Sequence, residues 1–261
     1  RSFDLQVTRG PELRAEAEEA QLRDVHLSPK RGTIYDRGGS ELAVSVEVES
    51  VYANPREMRR DGIDAVSAAA RLSSVLGVEL ERVTTRLGQD RYFVWIERQV
   101  TPEEAEAVRA LDIGGVHITH EAERFYPNRT LAAHILGFVN VDGEGIEGLE
   151  LSMEDHLRGD SASVPALRDA EGRVVFSDTL LDDRATLGDD VHLTIDRTIQ
   201  AVAEREIELS VRTFEAQAGS VVVMDPRSGE ILAMASYPTF DPNDPSASPP
   251  SSRRFRAITD R

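Results

Sequence analysis

Arg31-Gly32-Thr33-Ile34-Tyr35-Asp36-Arg37-Gly38-Gly39-Ser40-Glu41-Leu42-Ala43-Val44-Ser45 is the most informative stretch of this 261-residue chain. Three charged side chains, Arg31, Asp36 and Arg37, stand among glycines and apolar positions. Arginine and carboxylate form bidentate pairs between segments, and glycine lets backbones approach closely. The pattern predicts that these residues tie the segment to a distant part of the chain, near Tyr126 or Glu150. Directly downstream, Val44, Val46 and Val48 alternate with polar residues, which predicts a strand over 41–53.

Upstream, residues 11–25 are charged and rich in Glu and Ala, with a thin apolar stripe of Leu13, Leu22 and Val25, and read as helical. Beyond residue 53, helices are expected over about 62–76 and 79–87, with Gly77 and Gly88 as their stops. A strand is expected over 91–100. Thr101-Pro102-Glu103-Glu104 is a capping box that starts a helix to about Leu111, stopped by Gly114-Gly115. A short strand near 116–119, a turn at Tyr126-Pro127 and a brief helix from Thr130 to Leu136 follow. Leu149, Met153 and Leu157 share one helical face, so residues 146–158 read as one helix. Residues 161–167 and 172–178 read as a hairpin. The charged stretch 182–190 lacks periodicity and reads as a domain boundary. After it come a strand over 191–195, the N-cap Asp196 and a long helix with Ile199, Ala203, Ile207, Val211 and Phe214 on its apolar face. Residues 220–224 and 231–235 form a hairpin around Asp225-Pro226-Arg227-Ser228-Gly229. Their consecutive apolar positions suit strands covered on both faces. Residues 238–252 read as a loop.

Composition removes several functions. No run of 18 apolar residues is present, so no membrane span is expected within the chain. Thirty basic against 47 acidic residues give a net charge of −17, which argues against a nucleic-acid partner. Cysteine is absent. Gly143-Glu144-Gly145-Ile146-Glu147-Gly148 fits the dinucleotide pattern, but Glu144, Glu147, Glu150 and Glu154 would repel a phosphate at that helix start. It reads as a tight turn feeding a helix, and no cofactor is expected. His117 and His120 would point to opposite faces of a strand, so no metal site is expected. Asp182, Asp183, Asp189 and Asp190 read as solvated charge. Lys30 is the only lysine, Leu27 stands three positions before it, and no Ser-x-Asn occurs. Ser-x-x-Lys and Lys-Thr-Gly are therefore impossible, and no catalytic residue for acyl-serine chemistry is expected in this chain.

The stretch opened by Arg31 resembles the first signature of the non-catalytic module of class B penicillin-binding proteins, the membrane-anchored D,D-transpeptidases that cross-link peptidoglycan. Arg31, Gly32, Asp36, Arg37, Gly39, Leu42 and Ala43 coincide with that signature. Arg124, Tyr126, Pro127, His134 and Gly137 match a second motif, followed by Gly145, Glu147, Gly148 and Glu150. Leu193, Thr194, Asp196 and Gln200 match a third. Residues 225–238 are similar to the first hairpin of the transpeptidase sheet, and 254–260 to the approach to the catalytic helix, with Phe255 where the family usually has asparagine. Spacing and wording are most like the division-specific (septal) branch.

The resemblance implies an α+β architecture: a pedestal domain followed by the first strand, helix and hairpin of a serine β-lactamase-like transpeptidase domain. Residues 1–24 would form a juxtamembrane helix, 25–182 the pedestal of dimerisation type, 183–190 a linker, and 191–261 the start of the transpeptidase domain, with the nucleophile-bearing segment expected just beyond Arg261. It further implies an anchor before Arg1, a place on the periplasmic face of the bacterial inner membrane, and other division and wall-synthesis membrane proteins as partners. Stem peptides and β-lactams would bind only the complete protein. The competing expectation is a docking module for division partners with no chemistry of its own.

Overall fold

The computed structural model describes residues 22–27, 30–159, 162–168, 174–175 and 187–259. The chain divides into two compact units, one made of residues 1–44 with 126–261 and the other of 45–125.

Along the chain, β1 is Leu22–Leu27, β2 Ile34–Tyr35 and β3 Glu41–Ala53. The expected helix over 11–25 is corrected where it can be seen: Leu22–Val25 belong to a strand. That strand pairs antiparallel with a later one, Leu22 opposite Leu167, and inter-strand hydrogen bonds override the local helical preference. Residues 11–21 lie outside the described residues. β2 pairs antiparallel with the start of β3, Ile34 opposite Ala43.

The unit of residues 45–125 is built on the remainder of β3. It carries α1 (Pro55–Arg60), α2 (Ala65–Leu76), α3 (Leu80–Leu87), β4 (Val94–Val100), α4 (Pro102–Leu111) and β5 (Val116–Phe125). β4 runs antiparallel to β3, and β5 also pairs with β3. Val51, Leu72, Val83, Leu87, Ile96 and Val108 form the centre of its core. Helix ends follow the sequence closely. Asp64 accepts from the amides of Val66 and Ser67, Thr101 and Glu104 form the capping box, and Gly77 ends α2 at φ 65°. Two features depart from expectation. α1 lies in a stretch to which no element was assigned, with Asn54 accepting from Glu57 N–H as its cap. β5 is ten residues long, not four, because pairing with the long β3 supports residues whose own pattern is weak.

The other unit continues with α5 (Ala133–Leu136), α6 (Gly148–Ser152), α7 (Glu154–Leu157), β6 (Ala162–Arg168) and β7 (Val174–Val175). The single helix expected over 146–158 is two short ones, broken at Met153, whose φ of −114° is not helical. β6 and β7 pair antiparallel as a hairpin. Next come β8 (Val191–His192), α8 (Arg197–Thr213), β9 (Gly219–Met224) and β10 (Ile231–Tyr237). β8 lies parallel to β2, and β9 pairs antiparallel with β10. Short α9 (Pro250–Arg253) and α10 (Arg256–Thr259) close the described chain within what had been read as loop and approach segment.

α8 lays Ile199, Ala203 and Ile207 against Val221, Val223, Ala233 and Ala235. Phe214, expected on that face, is instead 81% exposed, because the helix has ended at Thr213 and Phe214 stands at its cap. Burial alternates along β9, so one face is covered and the other is not. Val222 and Met224 on the open face are 53% and 57% exposed.

Candidate functional site

Arg31 is the centre of the site. Its side chain is 4% exposed, and the paired Glu150 side chain is fully buried. Arg31 Nε donates to Glu150 Oε2 at 2.9 Å, and Nη2 donates to the Glu150 backbone oxygen at 2.9 Å. Nη1 donates to Glu154 Oε2 at 2.7 Å and to the Gly143 carbonyl at 2.9 Å. A guanidinium has five N–H donors in a rigid plane, and here that plane reads two carboxylates and two carbonyls at once. Tyr126, also buried, places its hydroxyl 3.5 Å from Glu150 Oε1. Gly145 N–H donates to the same Glu154 oxygen at 3.0 Å. Glycine at 145 has a steric cause, since a Cβ there would collide with the Glu150 carbonyl. Gly32 is wedged in the same way: its N–H donates to Leu157 O at 2.9 Å, and a Cβ would strike the Asp189 carbonyl. Glu147 and Gly148 open α6, with Gly148 against Gly137.

Asp36 and Arg37 face elsewhere. The expectation put them near Tyr126 or Glu150, but they meet the segment that begins at β8. Asp36 Oδ1 accepts from Gly38 and Ser40 N–H at 2.8 and 2.7 Å, and Oδ2 from Arg197 N–H at 3.3 Å. Arg197 is the first residue of α8, whose free amides attract a carboxylate. Burial pushes the Asp36 carboxyl up, but the amides of Ser40, Arg197 and Gly38 and the Arg197 charge outweigh it and hold the group below the usual range. Arg37 N–H donates to Ile195 O at 2.9 Å, and its half-exposed guanidinium stands 3.8 Å from Glu230. Gly39 completes the Asp36–Ser40 turn at φ 80°.

Asp196 caps α8 by accepting from Thr198 and Ile199 N–H, and its own N–H donates to Leu232 O at 2.8 Å. Gln200, buried one turn later, clamps Met234: its Nε2 donates to Met234 O and its Oε1 accepts from Met234 N–H. Glu204 Oε1 accepts from Gln200 Nε2 and Ala132 N–H, both at 2.7 Å. Its carboxyl is pushed up chiefly by burial. Thr33 N–H donates to Asp190 Oδ1 at 2.7 Å, and Lys30 and Leu187 form a parallel bridge. Asp190 therefore has a bonding role that solvated charge did not foresee.

Tyr126 N–H donates to Asn243 Oδ1, and Asn243 Nδ2 donates back to Tyr126 O. Pro127 beside it is exposed. Arg124 is buried in the other unit, its Nη1 3.4 Å from Ser45 Oγ. The histidines weighed as metal ligands lie beside different carboxylates, His117 near Glu57 and His120 near Glu47. Sequence reasoning missed Glu154, Asn243 and Glu204. Glu154 had a usable signal, four residues after Glu150. Asn243 had none, being a loop residue paired with one 117 positions away. Chemically, the arrangement joins segments; its carboxylates accept from backbone amides, arginine and the Gln200 and Tyr126 side chains.

The 31–40 segment is thus tied through Arg31 to Glu150 and Glu154 and through Asp36 to the start of α8. The profile described as Penicillin-binding Protein dimerisation domain matches residues 26–193. The chain belongs to that family. The Penicillin binding protein transpeptidase domain profile matches residues 219–261. Among relatives, the Probable peptidoglycan D,D-transpeptidase PenA of Neisseria meningitidis is 39% identical over 250 residues, 95% of this chain and 43% of its own length. The Peptidoglycan D,D-transpeptidase FtsI of Escherichia coli is 36% identical over 259 residues, 98% of this chain and 44% of its own length. A solved peptidoglycan synthetase from Bifidobacterium adolescentis superposes with a TM-score of 0.58 at 26% identity, covering 92% of this chain and 48% of that one. The chain thus spans less than half the length of these relatives. Among the described residues, no helix is long and apolar enough to cross a membrane.

Proposed function

We propose that this chain is the N-terminal region of a peptidoglycan D,D-transpeptidase acting in septal cell-wall cross-linking. Its pedestal would run over 25–182, with 183–190 as the connection and 191–261 as the start of the catalytic domain. The observation that carries the reading is the bonding of the 31–40 segment to the start of α8, the helix that leads into the transpeptidase-like hairpin. Arg31, Gly32, Asp36, Arg37, Gly39, Tyr126, Gly145, Glu147, Gly148, Glu150 and Asp196 would be its structural residues, with Arg124 and Pro127 in the adjoining motif. The complete protein would be held by an anchor before Arg1 at the periplasmic face of the inner membrane. There it would acylate its own serine with stem peptides or β-lactams.

A fluorescent penicillin followed by denaturing electrophoresis tests this. The full gene product should give a stoichiometric covalent band, and the 261-residue chain none. An unlabelled full product, or a labelled chain, overturns the reading. The docking alternative draws on the unit of residues 45–125, which has its own core and exposes Tyr92 and Phe93. A two-hybrid pairing with division membrane proteins that survives Tyr92→Ser with Phe93→Ser would count against those rings as the contact.

A further inference from the structure

His134 sits on α5, and its role is not accounted for by the ties around Arg31 or Asp36. The imidazole is buried, with Nε2 2.8 Å from the Ser252 carbonyl. The carbonyl only accepts, so Nε2 carries the proton and donates. The ring stacks on Phe255, centroids 5.7 Å apart and planes 26° apart. It meets Phe240 edge-on at 5.4 Å, and Phe240 in turn packs edge-on against Phe138. One side chain from the 132–138 segment thus holds three points of the closing segment: Phe240, the end of α9 and the start of α10.

Among the described residues, the charged groups nearest the ring are arginines, which disfavour a second proton. From α9 the nearby charge is Arg253, whose guanidinium lies over the Phe138 ring. From α10 it is Arg256, whose positive charge acts on the imidazole directly. Arg254 between them is engaged with Thr259 Oγ1. On the Phe240 side the next ionisable group is Asp241, which takes Asn243. Burial above all lowers the proton affinity of His134, the Ser252 carbonyl opposes this, and Arg256 adds to it. A neutral ring fits the site, whereas an imidazolium would be a buried cation beside an arginine.

We infer that His134 is a protonation-sensitive latch that pins residues 250–259 to the 132–138 segment when neutral and releases them when charged. The latch itself stands on contacts within this chain. Its meaning for catalysis rests on the function proposed above, in which 254–260 approach the nucleophile-bearing helix. In that setting, acidification would loosen the approach before it unfolds the hairpin.

Hydrogen–deuterium exchange on the 261-residue chain reads this directly, with rates corrected for the intrinsic effect of pH. Between about pH 7.5 and about pH 5.5, the range in which histidine titrates, amides of Ser252, Ile258 and Thr259 should exchange severalfold faster while β9–β10 amides stay protected. His134→Gln keeps an N–H donor without the titration, and should hold the segment protected at both pH values. His134→Phe keeps the ring without the donor, and should expose the segment at both. Absence of pH dependence in the native chain, or an unchanged dependence in His134→Gln, overturns the latch. Neither outcome bears on penicillin labelling of the full gene product, so the two readings fail separately.

Discussion

At the residue scale, Arg31 shows why a buried ion pair must be judged by its partners. Two charges removed from water gain little net stability even when well paired, but removing one partner leaves a buried uncompensated charge. Arg31→Ala strands Glu150 in that way, and the unfolding free energy in urea should fall by about 3–5 kcal/mol. Arg31→Lys should recover only part of this, since one ammonium cannot span two carboxylates and two carbonyls. Asp36 gives a pH signature. Its folded proton affinity is lower than its unfolded one, so its contribution is complete above the unfolded pKa and is lost as pH falls through the folded value. In Asp36→Asn, either orientation of the amide group places an N–H₂ where Asp36 accepts from a backbone N–H. The variant should be less stable near neutrality. Its deficit should narrow below about pH 4, the region of an ordinary aspartate, and a deficit constant with pH would contradict the argument.

At the element scale, α8 is where local and distant information meet. Its start was legible because Asp196 followed by apolar positions at four-residue spacing is a signal contained in a few residues. Its partner surface was only partly so. Ile199, Ala203 and Ile207 do face the hairpin, but Gln200, the buried residue that fixes Met234, breaks the apolar rule by being polar. The same limit explains 146–158. The periodicity of Leu149, Met153 and Leu157 is real, yet it could not show that α6 and α7 break at Met153, with both Glu150 and Glu154 on Arg31. Of the site, the residue types at 31, 36 and 150 were readable, whereas the addresses of Asp36 and Arg37 were not, because those depend on topology. Glu204 belongs to this scale. Its folded proton affinity is raised, so charging it at neutral pH opposes folding, and the penalty lifts as pH falls. Glu204→Gln can keep one oxygen accepting from Ala132 and Gln200 without the charge. The variant should therefore melt higher than the native chain near pH 7, with the gain shrinking toward pH 4. A lower melting point throughout would show that the charge is needed.

At the scale of the whole molecule, the open face of β9 is the clearest liability. A two-stranded sheet with one partly uncovered apolar face invites pairing with another chain. Sedimentation of the 261-residue chain should show association that rises with concentration, and Val222→Thr with Met224→Gln should shift it toward monomer. A native chain monomeric at all concentrations would disprove the liability. The ties around residues 31–40 set a further condition, one of timing. Arg31 and Glu150 are 119 residues apart, and Asp36 and Arg197 are 161 apart. A ribosome adds roughly 5–20 residues per second, so the arginine emerges on the order of ten seconds before its carboxylate exists. Through that interval the opening motif is an unclosed loop, and its closure waits on synthesis as much as on diffusion.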